Sequence, residues 1–395
     1  MRDKLASVLA ILAVTCTAIA ATLILVGPAV AIAIGVISAL ALAAWLWTAS
    51  PQNAESDSVL GPYLLSVPLL VGLEAIRYMS GWVGFLATEM DPLLDSSFAM
   101  TDASWFIFFV VCPVTLMLAG GYFLTKRHHL GHYMAWWTAL FVTAQGLVQL
   151  VADFLTGRPA GVHTLPGAVA ALALIFSGIV VCQRLLSRKA ASIPLPAAMT
   201  VRQRLLWSLF FVAATALYGV TLMRQAGPLP VIIIVGSMLG GLTGWWFTTA
   251  RRPADPSRAV PMFLILLTLF YIHVGEEALT GFNGAIASLS GTPWSDYDFT
   301  LLIGLLGPVV WFFAAWSLWK RQPIGNFIYW FLIIGMILGE PTHMVLFPVL
   351  AMNKFGIGYE YFSGMYTALF PMIPAILALV TIIGEGRRAS VQAAQ

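Results

Sequence analysis

The sequence predicts an all-α polytopic membrane protein of about twelve transmembrane helices, arranged as two parallel six-helix repeats. Three observations carry that expectation. The first is composition: of 395 residues, 60% are hydrophobic and 9% charged, with a mean hydropathy of +0.89, whereas a soluble domain is roughly 25% charged. The second is charge placement, with basic residues gathered in alternate loops. The third is internal similarity, which pairs segments of the first half with segments of the second.

Cutting the chain at its polar breaks gives spans at 7–26, 28–48, 62–84, 104–124, 132–155, 164–183, 205–223, 229–249, 260–282, 300–319, 326–349 and 362–384. Each approaches the ~20 apolar residues needed to cross a hydrocarbon core. The first has the look of a signal peptide. Its apolar run is long, however, it lacks a clear cleavage site, and a second span follows directly, so it reads as an anchor. With the N-terminus inside, the cytoplasmic loops hold Arg2, Lys4, Lys126, Arg127, Arg184, Arg188, Lys189, Arg202, Arg204, Arg251, Arg252, Arg258, Lys320, Arg321, Arg387 and Arg388. That is sixteen of the twenty Lys and Arg residues. The outer loops hold only Arg158, Arg224 and Lys354 among basic residues, and Arg77 lies within a span. Outer loops carry acid instead: Glu89, Asp91, Asp95 and Asp102, then Asp296 and Asp298. This is the positive-inside pattern, so both termini are expected in the cytoplasm and the protein in the plasma membrane. The net charge of +3 reflects topology and carries no nucleic-acid signal. Cys16, Cys112 and Cys182 fall in or at the ends of spans, with neither a disulfide framework nor a metal signature.

The repeats are expected at 1–190 and 200–390. The stretch 26-VGPAVAIAIGVISALALAAWLWT-48 parallels 226-AGPLPVIIIVGSMLGGLTGWWFT-248, and 71-VGLEAI-76 parallels 274-VGEEAL-279, which sets Glu74 opposite Glu277. Further on, 126-KRHHLGHYMAWW-137 parallels 320-KRQPIGNFIYWF-331, with Gly131 opposite Gly325, and 167-GAVAAL-172 parallels 364-GMYTAL-369. Six spans per copy is an even number, so the copies share one orientation about an axis along the membrane normal. The polar set is lopsided. Leu70, Leu73, Gly146 and Gln149 stand opposite His273, Glu276, Glu340 and His343. The first copy thus has a degenerate polar site, and chemistry is expected in the second.

That site is read from 271-YIHVGEEALTGF-282 and from Glu340 and His343. Residues i, i+3 and i+4 share a helix face, so His273, Glu276 and Glu277 are expected on one side of their span, and Glu340 and His343 on one side of theirs. Both spans run outward, and the two groups fall at similar depth. An ionisable group at mid-bilayer costs about 2.5–3.5 kcal/mol on insertion scales, so such groups face a cavity or a partner. One alternative is that these five only pair with one another and hold the bundle together. Two chemistries fit otherwise. Histidine and carboxylate on facing helices suit a metal, iron or zinc, although bundle di-metal sites usually use four carboxylates with two histidines, and Glu74 or Asp153 would have to complete the set. Metal-free proton transfer is the other, since a carboxylic acid buried in lipid can stay protonated while a neighbouring histidine or carboxylate accepts.

The four spans from about 260 to 384 resemble the emopamil-binding protein, or EXPERA, family of sterol isomerases and lipid-binding proteins, with Ile272, His273 and Glu277 matching its first-helix motif. Gly307 and Pro308 match its second helix, 335-GMILGE-340 its third with Glu340 for an Asp, and 368-ALFPMIP-374 its last with Phe370 for a Trp. The family's second-helix glutamate falls near Phe299, with Asp298 beside it. The stretch also fits the membrane proteins named for an HxxEE motif. The resemblance implies a four-helix EXPERA-like bundle, no cofactor, and a sterol-like or isoprenoid ligand whose double bond is shifted through a carbocation. It implies His273, Glu277 and Glu340 as proton carriers and Phe370 in the cation's pocket, where phenylalanine is a poorer cation–π partner than tryptophan.

The leading expectation is therefore an enzyme isomerising such a lipid by intramembrane proton transfer. The catalytic residues would be His273, Glu276, Glu277, Glu340 and His343, with Phe370, Trp294 and Glu74 as substrate contacts. The rival readings are a lipid-binding or lipid-transfer protein, a metal-dependent enzyme using the same five residues, and a proton-coupled transporter. The 128-HHLGH-132 cluster lies in a basic loop and reads as headgroup-facing. No lysine sits mid-span, which excludes a retinal Schiff base, and no phosphate-cradling G-x-x-x-x-G-K-[ST] occurs. Arg77, three residues after Glu74, is expected to pair with it or to snorkel outward.

Overall fold

Helix follows helix from end to end in this computed structural model, which describes residues 2–25, 27–48, 56–85, 102–156, 165–187 and 199–394, with no strand among them. The helices used below are α1 (Arg2–Leu25), α2 (Pro28–Thr48), α3 (Ser56–Met79), α4 (Asp102–Thr125), α5 (His129–Thr156) and α6 (Leu165–Leu186). They continue with α7 (Val201–Ala226), α8 (Pro228–Phe247), α9 (Pro256–Thr280), α10 (Phe282–Ser290), α11 (Asp296–Trp319), α12 (Pro323–Leu338), α13 (Pro341–Met344), α14 (Leu346–Phe355) and α15 (Leu369–Ala394). Eleven stretches are long and apolar enough to cross a membrane, and Leu369–Gly384 is a shorter apolar one. This build fits an integral, multi-pass membrane protein. Glu89, Asp91, Asp95, Arg158, Arg188 and Lys189, which entered the charge pattern, lie outside the described residues, as does the side chain of Asp153.

Local chemistry sets the helix ends. Thr200 caps α7 in a reciprocal capping box with Gln203. Asp255 caps α9 by accepting from the Ser257 amide, with Pro256 in the first turn, where its missing N–H costs nothing. Gly281, at φ 69°, ends α9 in the left-handed conformation that glycine adopts without a Cβ penalty.

The chain divides into two compact units, residues 1–192 with 305–312, and 193–304 with 313–395. Within the first, α2 packs on α5, α3 on α6, and α5 on α6. Within the second, α8 packs on α12, α9 on α15, and α12 on α15.

Two local devices occur once before α5 and once before α12. Each preceding span opens with a π-helical stretch, Phe106–Val111 or Thr300–Leu306, followed one residue later by a proline, Pro113 or Pro308. Proline has no N–H and its ring pushes away the carbonyl four residues back, so a wider turn relieves the crowding. At Pro308 that carbonyl belongs to Gly304, and the Tyr271 hydroxyl donates to it at 2.8 Å. The second device is a tight reversal. Arg127 (φ 54°) and Arg321 (φ 57°) are the positive-φ non-glycine residues among those described. The His128 amide bonds the Phe123 carbonyl at 3.0 Å, and the Gln322 amide bonds the Ser317 carbonyl at 2.8 Å. A Cβ on Gly131 or Gly325 would run into the backbone of Leu124 or Leu318, so each reversal depends on a glycine for close approach.

Candidate functional site

Four ionisable side chains meet inside the second unit. His273 and Glu277 come from one face of α9, one turn apart. Glu340 and His343 come from the junction of α12 and α13. None is more than 6% exposed. The sequence pattern predicts an unbroken span over 326–349, but the helix stops at Leu338 and restarts at Pro341. Pro341 cannot donate a helix bond, and the Thr342 amide bonds back to Gly339 at 2.9 Å while His343 bonds to Glu340 at 3.2 Å. These tight turns swing Glu340 and His343 together toward α9.

The contacts among the four are close, and they are ion pairs wherever a histidine is protonated. His273 Nε2 lies 2.9 Å from Glu340 Oε2, an ion pair when the ring is protonated; with Nε2 unprotonated that buried oxygen has no donor. Glu277 Oε1 lies 3.7 Å from His273 Nε2 and 3.5 Å from His343 Nε2. The rings of the two histidines meet edge to face at 4.8 Å.

The outer sides of both rings are committed. His343 Nδ1 is 2.8 Å from the Ser363 carbonyl, which only accepts, so Nδ1 carries the proton. His273 Nδ1 is 3.0 Å from Thr367 Oγ1, and the single hydroxyl proton of Thr367 goes to the Glu276 carboxylate, so this Nδ1 donates as well. Neutral, each ring therefore turns the lone pair of Nε2 toward the carboxylates.

Glu276 does not join the other four. It stands one residue from Glu277, about 100° round the helix, and it serves the covering segment 356–368. It accepts from the Tyr361 hydroxyl at 2.6 Å, the Tyr366 amide at 3.1 Å, the Thr367 amide at 2.8 Å and the Thr367 hydroxyl. Burial, and then the bond to Glu276, push the Tyr361 phenol above its ordinary value, so it stays a donor. Glu276 and His273 both meet Thr367, the one at its amide and hydroxyl and the other at its hydroxyl, so Glu276 faces the cover rather than the other carboxylates.

Aromatic rings close the pocket. Phe282 follows the Gly281 turn and stacks on His343 at 5.0 Å, and Phe347 meets that histidine edge-on at 5.2 Å. Trp294 is one layer further out, against Phe282 at 6.2 Å and Phe299 at 5.4 Å. Phe370 is 43% exposed, and no ring contact joins it to either histidine among the described residues. Glu74 lies in the first unit, where the Arg77 guanidinium binds it at 2.5 Å and reaches Gln149 at 2.8 Å and Gln145 at 2.9 Å. Arg77 pairs inward and does not snorkel. In the 128–132 cluster, the His128 ring accepts from the Leu130 amide and His129 packs edge-on against Trp45, both local packing roles.

Sequence reasoning missed Ser363, Gly364 and Thr367. Their only signal was a polar, aromatic run, 359-YEYFSGMYT-367, just before the last apolar stretch. Gly364 sits at φ 83°, and a Cβ on it would lie 2.5 Å from His343 Nδ1 and 2.9 Å from His273 Cε1. Gly364→Ala is expected to cost about 1–3 kcal/mol through backbone strain and overpacking. Thermal unfolding in detergent checks this against Gly358→Ala, where a Cβ meets nothing within 4 Å and no loss is expected. Equal midpoints for the two variants would contradict the packing of the cover on the histidines.

Comparisons with family models, with curated proteins and with solved structures find no match for this chain.

Proposed function

We propose that the protein is a membrane enzyme whose second unit performs acid–base chemistry on an apolar molecule drawn from the bilayer, of sterol-like or isoprenoid class, shifting a double bond by adding and removing a proton. The observation that carries this reading is the Glu277 carboxyl. It is buried between two imidazole Nε2 atoms, at 3.7 and 3.5 Å, and no hydrogen bond holds it among the described residues. Carboxylates kept for architecture are tied down, as Glu74 and Glu276 are. A group free of such ties beside two bases is suited to carry a proton. The aromatic wall of Phe282, Phe347 and Phe362 suits an apolar substrate, and the same helix break bears an open groove of about 270 Å³ lined by Leu338, Pro341, Thr342, Val345, Leu346 and Val349.

We further infer that the units descend from one duplicated six-helix ancestor. The matching helix contacts, the two π-helical stretches and the two arginine reversals support this. Both termini then face the cytoplasm. Single cysteines placed at Ser295 and at Arg252 are expected to label from opposite sides of sealed vesicles, and labelling of both from the cytoplasmic side would overturn the orientation.

The test of function is isotope exchange. Purified protein in vesicles made from total membrane lipid is incubated in D₂O, and the extracted lipids are read by mass spectrometry. Deuterium is expected to enter carbon positions of one sterol-like or isoprenoid species. Folded wild-type protein that labels no lipid would sink the proposal.

A further inference from the structure

We infer that His273, Glu340 and His343 bind a divalent first-row transition-metal ion, of the zinc or ferrous type, with Glu277 beside it as the proton-carrying group. One ligand atom from each of the three residues lies within 4.8 Å of the others, and all three residues are buried. Ligands about 2.0–2.1 Å from a tetrahedral ion stand about 3.4 Å apart, so the three donors need to draw in by up to about 1.5 Å to reach binding distance. Two imidazoles with a carboxylate suit zinc or ferrous iron. Magnesium and calcium call for an all-oxygen set.

Convergence alone would be weak evidence. The direction of every donor is what strengthens it. Both Nδ1 protons point away from the pocket, to the Ser363 carbonyl and to Thr367. The atoms left facing inward are two nitrogen lone pairs and two carboxylates. With both rings neutral these are acceptors set against acceptors, and Glu340 Oε2 then has no donor. Burying such a set is costly unless a cation balances it. Within the chain, a protonated His273 would answer Glu340 at 2.9 Å; a bound metal ion supplies that charge and engages His343 as well. The outer bonds, meanwhile, are the supports that metal-bound histidines use, a backbone carbonyl for one and a hydroxyl–carboxylate pair for the other.

The first unit shows the same problem solved within the chain. There Glu74, which the internal alignment sets opposite Glu277, is balanced by Arg77, and the guanidinium also holds Gln149, the residue opposite His343. In the second unit Thr280 occupies the position that follows Glu277 as Arg77 follows Glu74. No Lys or Arg pairs with Glu277 or Glu340 among the described residues. Where one unit supplies an arginine, the other offers only its histidines or an ion from solution.

The inference deepens the reading of this pocket as a reactive centre and rests on it for what the ion would do; binding itself is measured without turnover. Full-length protein is purified in detergent without chelator, and its metal content is measured. A stripped sample is then titrated with Co²⁺ alone and followed by its visible ligand-field absorption. About one ion per chain and saturable cobalt bands are expected. Both should be lost in His343→Gln, which copies the residue of the first unit and so preserves packing, and in Glu340→Gln. Thr367→Val, which removes the support of His273, is expected to weaken cobalt binding roughly 10–100-fold. Glu74→Gln should leave it unchanged. Folded, monodisperse wild type with only trace metal and no cobalt bands overturns the inference, and so does full metal content in both His343→Gln and Glu340→Gln. An ion bound without lipid exchange would uphold this site and reject the isomerase reading; exchange by protein that binds no cobalt would do the reverse.

Discussion

Glu277→Gln is expected to lower deuterium exchange into lipid by at least about 10²–10⁴-fold, the usual worth of a positioned acid–base group, while the protein stays folded. The amide keeps the volume of the carboxyl and cannot shuttle a proton. Because no hydrogen bond ties Glu277 down among the described residues, the substitution breaks no structural bond. The variant should elute from size exclusion and emit tryptophan fluorescence as wild type does. Glu74→Gln is the matched control, since it alters the acid of the first unit, which Arg77 balances. Its exchange rate should remain within a few-fold of wild type. Equal loss in both variants, with loss of folded protein, would mean that these carboxyls serve packing and not chemistry.

Arg77→Met is expected to destabilise the first unit by about 3–5 kcal/mol, the range for breaking a buried ion pair from one side. The change leaves Glu74, 2% exposed, without its counter-charge, and strips a donor from Gln145 and from Gln149. Adding Glu74→Gln to Arg77→Met should recover most of the loss, because the uncompensated charge is gone and an amide can bond the two glutamines. Chemical unfolding in detergent of the two single variants and the double gives the coupling. A double variant as unstable as Arg77→Met alone would show that the guanidinium matters for its bulk and not for its charge.

Much of the architecture was legible because bilayer physics leaves strong marks. Apolar length, loop charge and the Gly-Pro starts of α2 and α8 are properties of local sequence. The buried cluster of ionisable side chains was legible for the same reason, since such residues inside apolar runs are conspicuous. What stayed hidden depended on breaks in regular geometry. Helical spacing placed Glu276 with His273 and Glu277, yet the 100° step between adjacent residues sends it to the covering segment. Spacing treated 326–349 as one helix, whereas the turns at Gly339 and Pro341 decide where Glu340 and His343 point. Thr367 and Ser363 drew no notice because a lone hydroxyl and a backbone carbonyl have no sequence signature. Their importance arises only when a distant histidine meets them.

The fourfold grip of Glu276 on residues 361–367 has one more consequence. The carboxylate that fastens the cover is also the group that orients Thr367, and Thr367 in turn fixes which nitrogen of His273 bears its proton. Fastening and tautomer are thus a single mechanical fact. Lifting the segment far enough to admit a molecule from that side releases Thr367, removes the Ser363 carbonyl from His343, and frees both rings to rotate and exchange protons with water. On the proposed reading the cluster would work as an interlock, its alignment held only while the segment stays fastened by Glu276.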